Sequence, residues 1–435
     1  TGHAKPAEFT LPAALAGLEV YSVNGAAKAS IGPHDLVDTT TYTNTYYVDG
    51  VGGNDANSGA TWALRKKSIG NAMRTASTSG LASRILVWAQ SGLPYYRQIS
   101  AGDDGTVRAS AVPILLEAMN GRVQTGCYDN LTWAKTGGLT YTYQATRSQA
   151  TRCVNPSVKT NENLHSEYTW VASSAAVDAL EGSWYTDGTT VFVRPHGNTV
   201  PTLANARVIL YGVRGLEWQC NQNLVVRGFD FEGGPMGTKV FGGSTNIVVF
   251  DDCTFRYSAA SNTFNGGVLL TDGLQILGVG LLAAFGCSAD RNAKDGFNFH
   301  AESAVLPNAL LVNCAGTLNG LNPSVSNNGF TCHDGVIAIS VGCDWRGNYG
   351  IGSGHVSDGT RIWSVCDVSG DSMGDYIYSG GLAGAFGVWS GAAKIWLDSC
   401  IDVGCEYGVY QGDTALAYIR NHKGSGRRSA GVTTF

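Results

Sequence analysis

The chain has 435 residues, of which only 14% are charged, with 58 Gly and 4 Met; a typical soluble domain carries about 25% charge, so this surface must be satisfied by neutral hydrogen-bonding groups, as in turn-rich β structure. The net charge of −5 gives no electrostatic attraction to nucleic acid or to an anionic membrane. The most apolar stretch, 273–285, is shorter than the roughly 20 residues of a spanning helix and is broken by Gly278 and Gly280, so no membrane partner is expected.

The sequence opens Thr1-Gly2-His3 with neither Met nor a basic-then-apolar leader, as expected of a trimmed or partial chain. Residues 1–45 have little period and read as an arm packed on the core or a linker. From Tyr46 a strand, a Gly53-Asn54-Asp55-Ala-Asn57-Ser-Gly59 turn and a short helix near Ile69 predict a cap on an open-ended repeat array, followed by first coils up to 121. Asp49, Asn54, Asp55 and Asn57 favour a hydrogen-bonded turn over a Ca2+ site. Residues 122–206 lose the period and read as an inserted β-rich excursion, with a hairpin around Asp187-Gly188. Residues 207–420 form the main array, and 421–435, with Lys423-Gly-Ser-Gly-Arg427-Arg428, a flexible tail.

The array is marked by Cys. Of eleven, six fall at one phase of a recurring unit, Cys253, Cys287, Cys314, Cys343, Cys366 and Cys400, with Phe229 one unit earlier. No CxxC pair or zinc-finger spacing is present. The irregular period, the short β-rich runs and the Gly/Asn/Asp turns predict an all-β right-handed parallel β-helix. The Cys positions then point inward as a ladder of free thiols, which suits assembly in a reducing compartment. A second strand follows each Cys from the third coil on, in Asp295-Gly-Phe-Asn-Phe-His300, Asn328-Gly-Phe-Thr-Cys-His333-Asp334, Tyr349-Gly-Ile-Gly-Ser, Asp375-Tyr-Ile-Tyr378-Ser and Tyr407-Gly-Val-Tyr410-Gln. Alternation turns Phe297, Phe330, Ile351, Ile377 and Val409 inward and Asn298, Thr331, Gly352, Tyr378 and Tyr410 outward, with His300 stacked on His333.

The turn at 53–59, the Trp184-Tyr-x-Asp-Gly188 element and the coil pair Asp295–His300 with Asn328–Gly335 resemble the pectate-lyase-like superfamily, and more narrowly phage tailspikes and bacterial exopolysaccharide depolymerases, over roughly residues 46–420. The resemblance implies action on a bacterial polysaccharide by hydrolysis, β-elimination or epimerisation, assembly as a homotrimer, and a place on a virion or outside the cell. The Asp-Pro-His-Glu signature of mannuronan epimerases is absent.

Glycoside hydrolysis needs two carboxyl groups about 5–9.5 Å apart, and carboxylates on neighbouring coils meet that need. The expected pair is Asp295 and Asp334, with Asp375 as a competing partner and His300 and His333 orienting the sugar or tuning the acids. Asn298, Thr331, Tyr349, His355, Tyr378, Tyr410, Arg291 and Lys294 would line the substrate path, the tyrosines through the apolar faces of sugars. A lyase would instead draw on His300 or His333 and Tyr378 for proton transfer and on Arg291 or Lys294 for its cation. Asp295, His300, His333 and Asp334 are also a ligand set a transition metal would accept, although no cofactor is required by the hydrolytic reading. A non-catalytic carbohydrate-binding spike is the remaining alternative.

Overall fold

The computed structural model describes residues 1–90, 95–96, 109–160, 164–211, 215–234, 238–258, 271–301, 305–320, 327–373 and 384–435. Short strands of each coil lie one-to-one and parallel on those of the next, building three sheets. A coil runs from the first sheet (for example Leu274–Leu277) to the second (Leu281–Phe285) and the third (Ser288–Asp290), then turns back to the first (Phe297–His300). The chain is thus a right-handed parallel β-helix, with one continuous apolar core running along its axis.

Alternation explains which residues line that axis. In the third sheet one inward position carries Val123, Phe229, Cys253, Cys287 and Cys314 in turn, and then Cys343. The thiols are buried and unbridged, and each donates to a carbonyl of the neighbouring coil, as from Cys314 Sγ to Ala284 O at 3.3 Å. Burial pushes these thiols well above their usual range. The ladder departs from expectation at one place. Val368 pairs with Asp344 and with Ile401, so Asp367, not Cys366, stands between Cys343 and Cys400. Cys366 occupies instead the left-handed corner before it, φ +55°, where other coils use Gly228, Asp252, Gly286, Asn313, Gly342 and Ser399. The spacing itself is unchanged, Val365 to Asp367 matching Val341 to Cys343 and Asp398 to Cys400, so in this coil the Cys falls one residue before the ladder position.

Asp367 is fully buried and satisfied by Ser340 Oγ (2.5 Å), Cys343 N (2.9 Å) and Trp345 Nε1 (3.2 Å). Burial nevertheless raises its pKa to about 6.

The second sheet is apolar on both faces. Its outward column, Leu115, Val225, Val249, Ala283, Leu310, Ile339, Trp363 and Trp396, is covered by Phe9, Leu15, Leu18, Val20, Ala27 and Val37. Residues 1–43 are therefore a docked arm. Its path runs backwards along the solenoid: His3 lies 3.2 Å from Asp398, Glu8 3.0 Å from Lys394, and His34 2.9 Å from Arg227. The helix Ile69–Thr78, capped by Ser68, then closes the N-terminal end of the core with Ile69, Ala72, Met73 and Ala76. In the cap turn Asp49 bonds Arg65, Gln90 and Val51 N, and Asp55 bonds Lys67 N and Ser68, the hydrogen-bonded arrangement expected there.

Two boundaries move. Val123–Gly126 belongs to the third sheet and Arg207–Leu210 pairs with Ala150–Lys159, so the excursion spans about 127–211. It is pinned by buried Glu232, which takes Arg207 (2.8 Å), Arg256 (2.7 Å) and His165 (3.2 Å); burial alone would raise that carboxyl, but the two guanidinium groups outweigh it and hold it well below its usual range. At the other end, Arg427–Arg428 and Thr433–Thr434 add strands to the first and second sheets, so 421–435 completes a further coil instead of hanging free.

Two outcomes follow for stability. Phe9, fully buried and edge-on to Trp396 at 5.6 Å, should cost about 3–5 kcal/mol on Phe9→Ala, read by denaturant unfolding; a loss below about 1 kcal/mol would mean that the arm does not hold the sheet. The raised pKa of Asp367 means that the folded state holds its proton longer than the unfolded chain, so stability falls as pH rises from about 4 through about 6, by up to roughly 3 kcal/mol. Asp367→Asn should remove that component of the slope in a pH series of unfolding midpoints.

Candidate active site

The outward face of the first sheet carries two columns. Asn298, Thr331, Gly354, Gly387 and Tyr410 stand in register in one. In the other, His300 and His333 lie face to face, centroids 4.0 Å apart and planes 10° apart. Burial and the neighbouring His300 push His333 down to about 2, so it stays neutral, and its Nε2 has no partner among the described residues. His300 Nδ1 meets Asp334 Oδ2 at 3.2 Å in an exposed turn, where Asp334 has φ +58°.

The register corrects several expectations. The fifth coil enters the sheet two residues later than expected, at Ser353–Val356, so Ser353 takes the inward place assigned to Ile351, and Gly354 the outward place assigned to Gly352. His355 consequently points into the core: it is fully buried, bonded to Ser353 Oγ at 2.9 Å, packed edge-on to Phe330 and pushed down to about 3 by burial, and it lines no substrate path. Tyr349 lies half-buried in the turn before that strand, its N–H on Asn319 O. Arg291 sits at a left-handed corner, where its carbonyl anchors Arg152 of the excursion. Asp375, Tyr378 and Ile377 lie outside the described residues; the strand described in that coil is Gly384–Trp389. Trp389 lies over the gap left by two glycines: a Cβ on Gly354 would come within 2.9 Å of its ring, and one on Gly387 within 3.1 Å.

Asp295 and Asp334 do not meet. Asp295 stands level with Asn328, at the entry to the strand Phe330–Cys332, and Asp334 lies past its exit. At about 3.3 Å per residue the two are separated by roughly 15 Å or more, beyond the reach of one glycosidic bond. The carboxylate that does join Asp295 is Asp272, one coil earlier, which the sequence reading passed over. The signal was present as the repeated unit Asp272-Gly-Leu-Gln275, Asp295-Gly-Phe-Asn298 and Asn328-Gly-Phe-Thr331. Gly is required after the acid because a Cβ on Gly296 would sit 2.6 Å from Gly329 O of the next coil.

In this ladder the two carboxylate oxygens do different work. Oδ1 of Asp272 accepts Asp295 N (3.3 Å), Oδ1 of Asp295 accepts Asn328 N (2.7 Å), and Oδ1 of Asn328 accepts Ile351 N (3.0 Å), so each caps the coil above. Both Oδ2 atoms receive the same Asn298 amide, at 3.0 Å and 3.1 Å, and so stand no more than about 6 Å apart, within the range of a catalytic pair. Lys294 Nζ approaches Asp295 Oδ2 at 3.6 Å and Asp272 Oδ1 at 3.9 Å. Asp272 and Asp295 are 3% and 1% exposed, and Lys294, about a third exposed along its side chain, forms the open edge. Burial raises the Asp295 pKa to about 6; Lys294 opposes the shift and Asp272 adds to it. Asp295 and Asp272 in turn hold Lys294 above its usual range. Beside them Thr271 Oγ1, Gln275 Oε1 and Asn298 Oδ1 are buried without a partner among the described residues. Among the described residues no group of three or more His, Cys, Asp or Glu is arranged to hold a metal ion.

No protein-family model matches the chain, and no curated protein does. Among solved structures it is similar to one described as a glycoside hydrolase, at 10% identity and TM-score 0.48 over 88% of this chain and 97% of that one. It is also similar to pectate lyase Pel9A, at 13% identity and TM-score 0.42 over 86% and 78%. A third is the tailspike protein gp49 of Pseudomonas phage LKA1, at 9% identity and TM-score 0.26 over 83% and 72%.

Proposed function

We propose that this protein is a polysaccharide-cleaving glycoside hydrolase that works with Asp295 and Asp272 as its carboxyl pair. The observation that carries the reading is that one amide, Asn298 Nδ2, bridges the two Oδ2 atoms at 3.0 Å and 3.1 Å. A separation of about 6 Å or less is nearer to the roughly 5–5.5 Å of retaining enzymes than to the wider gap that admits a water in inverting ones. Asp295, whose carboxyl keeps its proton up to about pH 6, protonates the leaving glycosidic oxygen. Asp272 Oδ2 attacks the anomeric carbon, the C–O bond to the leaving sugar breaks, and a glycosyl ester forms. Asp295, now ionised, takes a proton from water as that water hydrolyses the ester. Lys294 offsets the negative charge of the pair, and Tyr410, half-buried in the outward column of the same sheet and edge-on to buried Trp389, offers a sugar-stacking surface. A bacterial surface or extracellular polysaccharide is the substrate class implied, and a homotrimer on a phage particle is one setting for it.

β-Elimination on a uronate is the second reading, favoured by one observation: Lys294 is an ammonium beside two carboxyl groups, a place where a developing enolate could be stabilised.

Asn328 shows that an amide performs the capping role at the third rung of this ladder. Asp295→Asn and Asp272→Asn should therefore keep the melting temperature within a few degrees while lowering release of reducing ends from a bacterial capsular polysaccharide panel by about a thousandfold. Retained turnover in both variants would refute the pair, and an ultraviolet signal of unsaturated uronate would select elimination. Because the acid must be protonated, wild-type turnover should fall as pH rises through about 6, and a profile flat from pH 5 to 8 would exclude Asp295 as the acid.

A further inference from the structure

The excursion has no part in the chemistry above, yet it holds a cleft of about 620 Å³ lined by Trp170, Tyr185, Tyr211, Gln149 and Asp187. The three aromatic side chains are half-buried, so each ring has a fixed side and an open side. For Tyr185 the fixed side is visible: it faces Phe192 across the hairpin, rings stacked at 5.8 Å and 24°. Gln149 is held at φ +65°, with its carbonyl accepting Tyr211 N at 3.0 Å, which fixes it beside the Tyr211 rim of the cleft. Asp187 Oδ1 takes Thr189 N, Thr189 Oγ1 and Thr190 N, which leaves Oδ2 outside the turn's own bonds. Burial opposes ionisation there, but those donors outweigh it and hold Asp187 below its usual range.

We infer that this cleft is an accessory binding site for an uncharged sugar unit of a glycan, lying on the excursion apart from the Asp272–Asp295 pair. Aromatic faces take the apolar face of a pyranose, and an ionised carboxylate with a side-chain amide accepts and donates to adjacent hydroxyls. Charge selects against acidic sugars: the lining holds Asp187 and neither Lys nor Arg among the described residues. A second cleft, between the excursion and the first coils, differs on this point. It is lined by Arg122, Lys159 and Arg207, but Arg122 is committed to Asp230 and Asp252, and Arg207 to Glu232.

The test is titration of the full chain with cellohexaose, xylohexaose and maltohexaose, and with hexagalacturonate as the acidic probe, followed by tryptophan fluorescence and calorimetry. At least one neutral probe should bind more tightly than hexagalacturonate, and Tyr185→Ala and Tyr211→Ala should each weaken it about tenfold or more without changing turnover of a short soluble substrate. Tyr185→Phe, which keeps the platform on Phe192, should retain most of the affinity, and Tyr211→Ala serves if Tyr185→Ala fails to fold. Binding of no neutral probe, unchanged affinity in the variants, or preference for hexagalacturonate through the same tyrosines would overturn the inference. The two readings fail separately, because loss of the accessory site is scored by binding and loss of the carboxyl pair by turnover in Asp295→Asn.

Discussion

A coil of this molecule has few backbone partners of its own. Its strand N–H and C=O groups are satisfied by the coils before and after it, at the strand spacing of about 4.8 Å, so each side chain's nearest neighbours are the residues at the same place one coil away. Like therefore stacks on like. For neutral groups this is benign: Cys287 on Cys314, His300 on His333, and the buried amides Asn292, Asn319 and Asn348, each bonded to the next. For carboxylates it is not. Placing Asp295 directly over Asp272 brings two like charges together away from water, and both burial and the neighbour favour the protonated form. Lys294 and Asn298 compensate only in part. A carboxyl that holds its proton to about pH 6 thus arises from the stacking rule itself.

The same rule decides where function can sit. From the coil of Gly228 to that of Ser399 the chain turns between the second and third sheets on a single left-handed residue, from φ +52° at Asp252 to +73° at Gly228, leaving little room for elaboration. The outward face of the second sheet is sealed by the arm. What remains open to variation is the return from the third sheet to the first, where spacing differs from coil to coil and where Asp272, Lys294 and Asp295 are placed. The excursion leans over the same corner, its Arg152 reaching the carbonyls of Ser258 and Arg291.

The periodic part of this architecture was legible in the sequence because inward positions of a β-helix admit only small or apolar side chains, and Cys and Phe at a repeating phase betray them. Asn298, Thr331 and Tyr410 fell in one column, and His300 on His333, for that reason. Errors arose where a motif residue fell one place early or the entry of a strand moved. Cys366 matched the motif yet sits at the corner, because spacing to Val365 and not residue type sets its place. Ile351 and Gly352 alternated correctly but preceded the strand, which put His355 into the core. Pairing Asp295 with Asp334 treated the face as a surface without length, whereas a three-residue strand divides them. Asp272 was hidden because its strand partners are Leu274 and Gln275, chemically unlike Phe297 and Asn298 though identically placed.

A linear array of coils ordinarily frays from its ends, each unit answering only to its neighbours. Here the arm ties residues near the start to those near the finish, with His3 at Asp398, the Ala4 carbonyl at Arg420 and Phe9 between Trp363 and Trp396. This has a consequence for biosynthesis. The arm is translated well before the strands that carry Trp363 and Trp396, so during translation its apolar side chains have no complete native docking site. The arm therefore closes over the second sheet only after the coils it ties together have emerged.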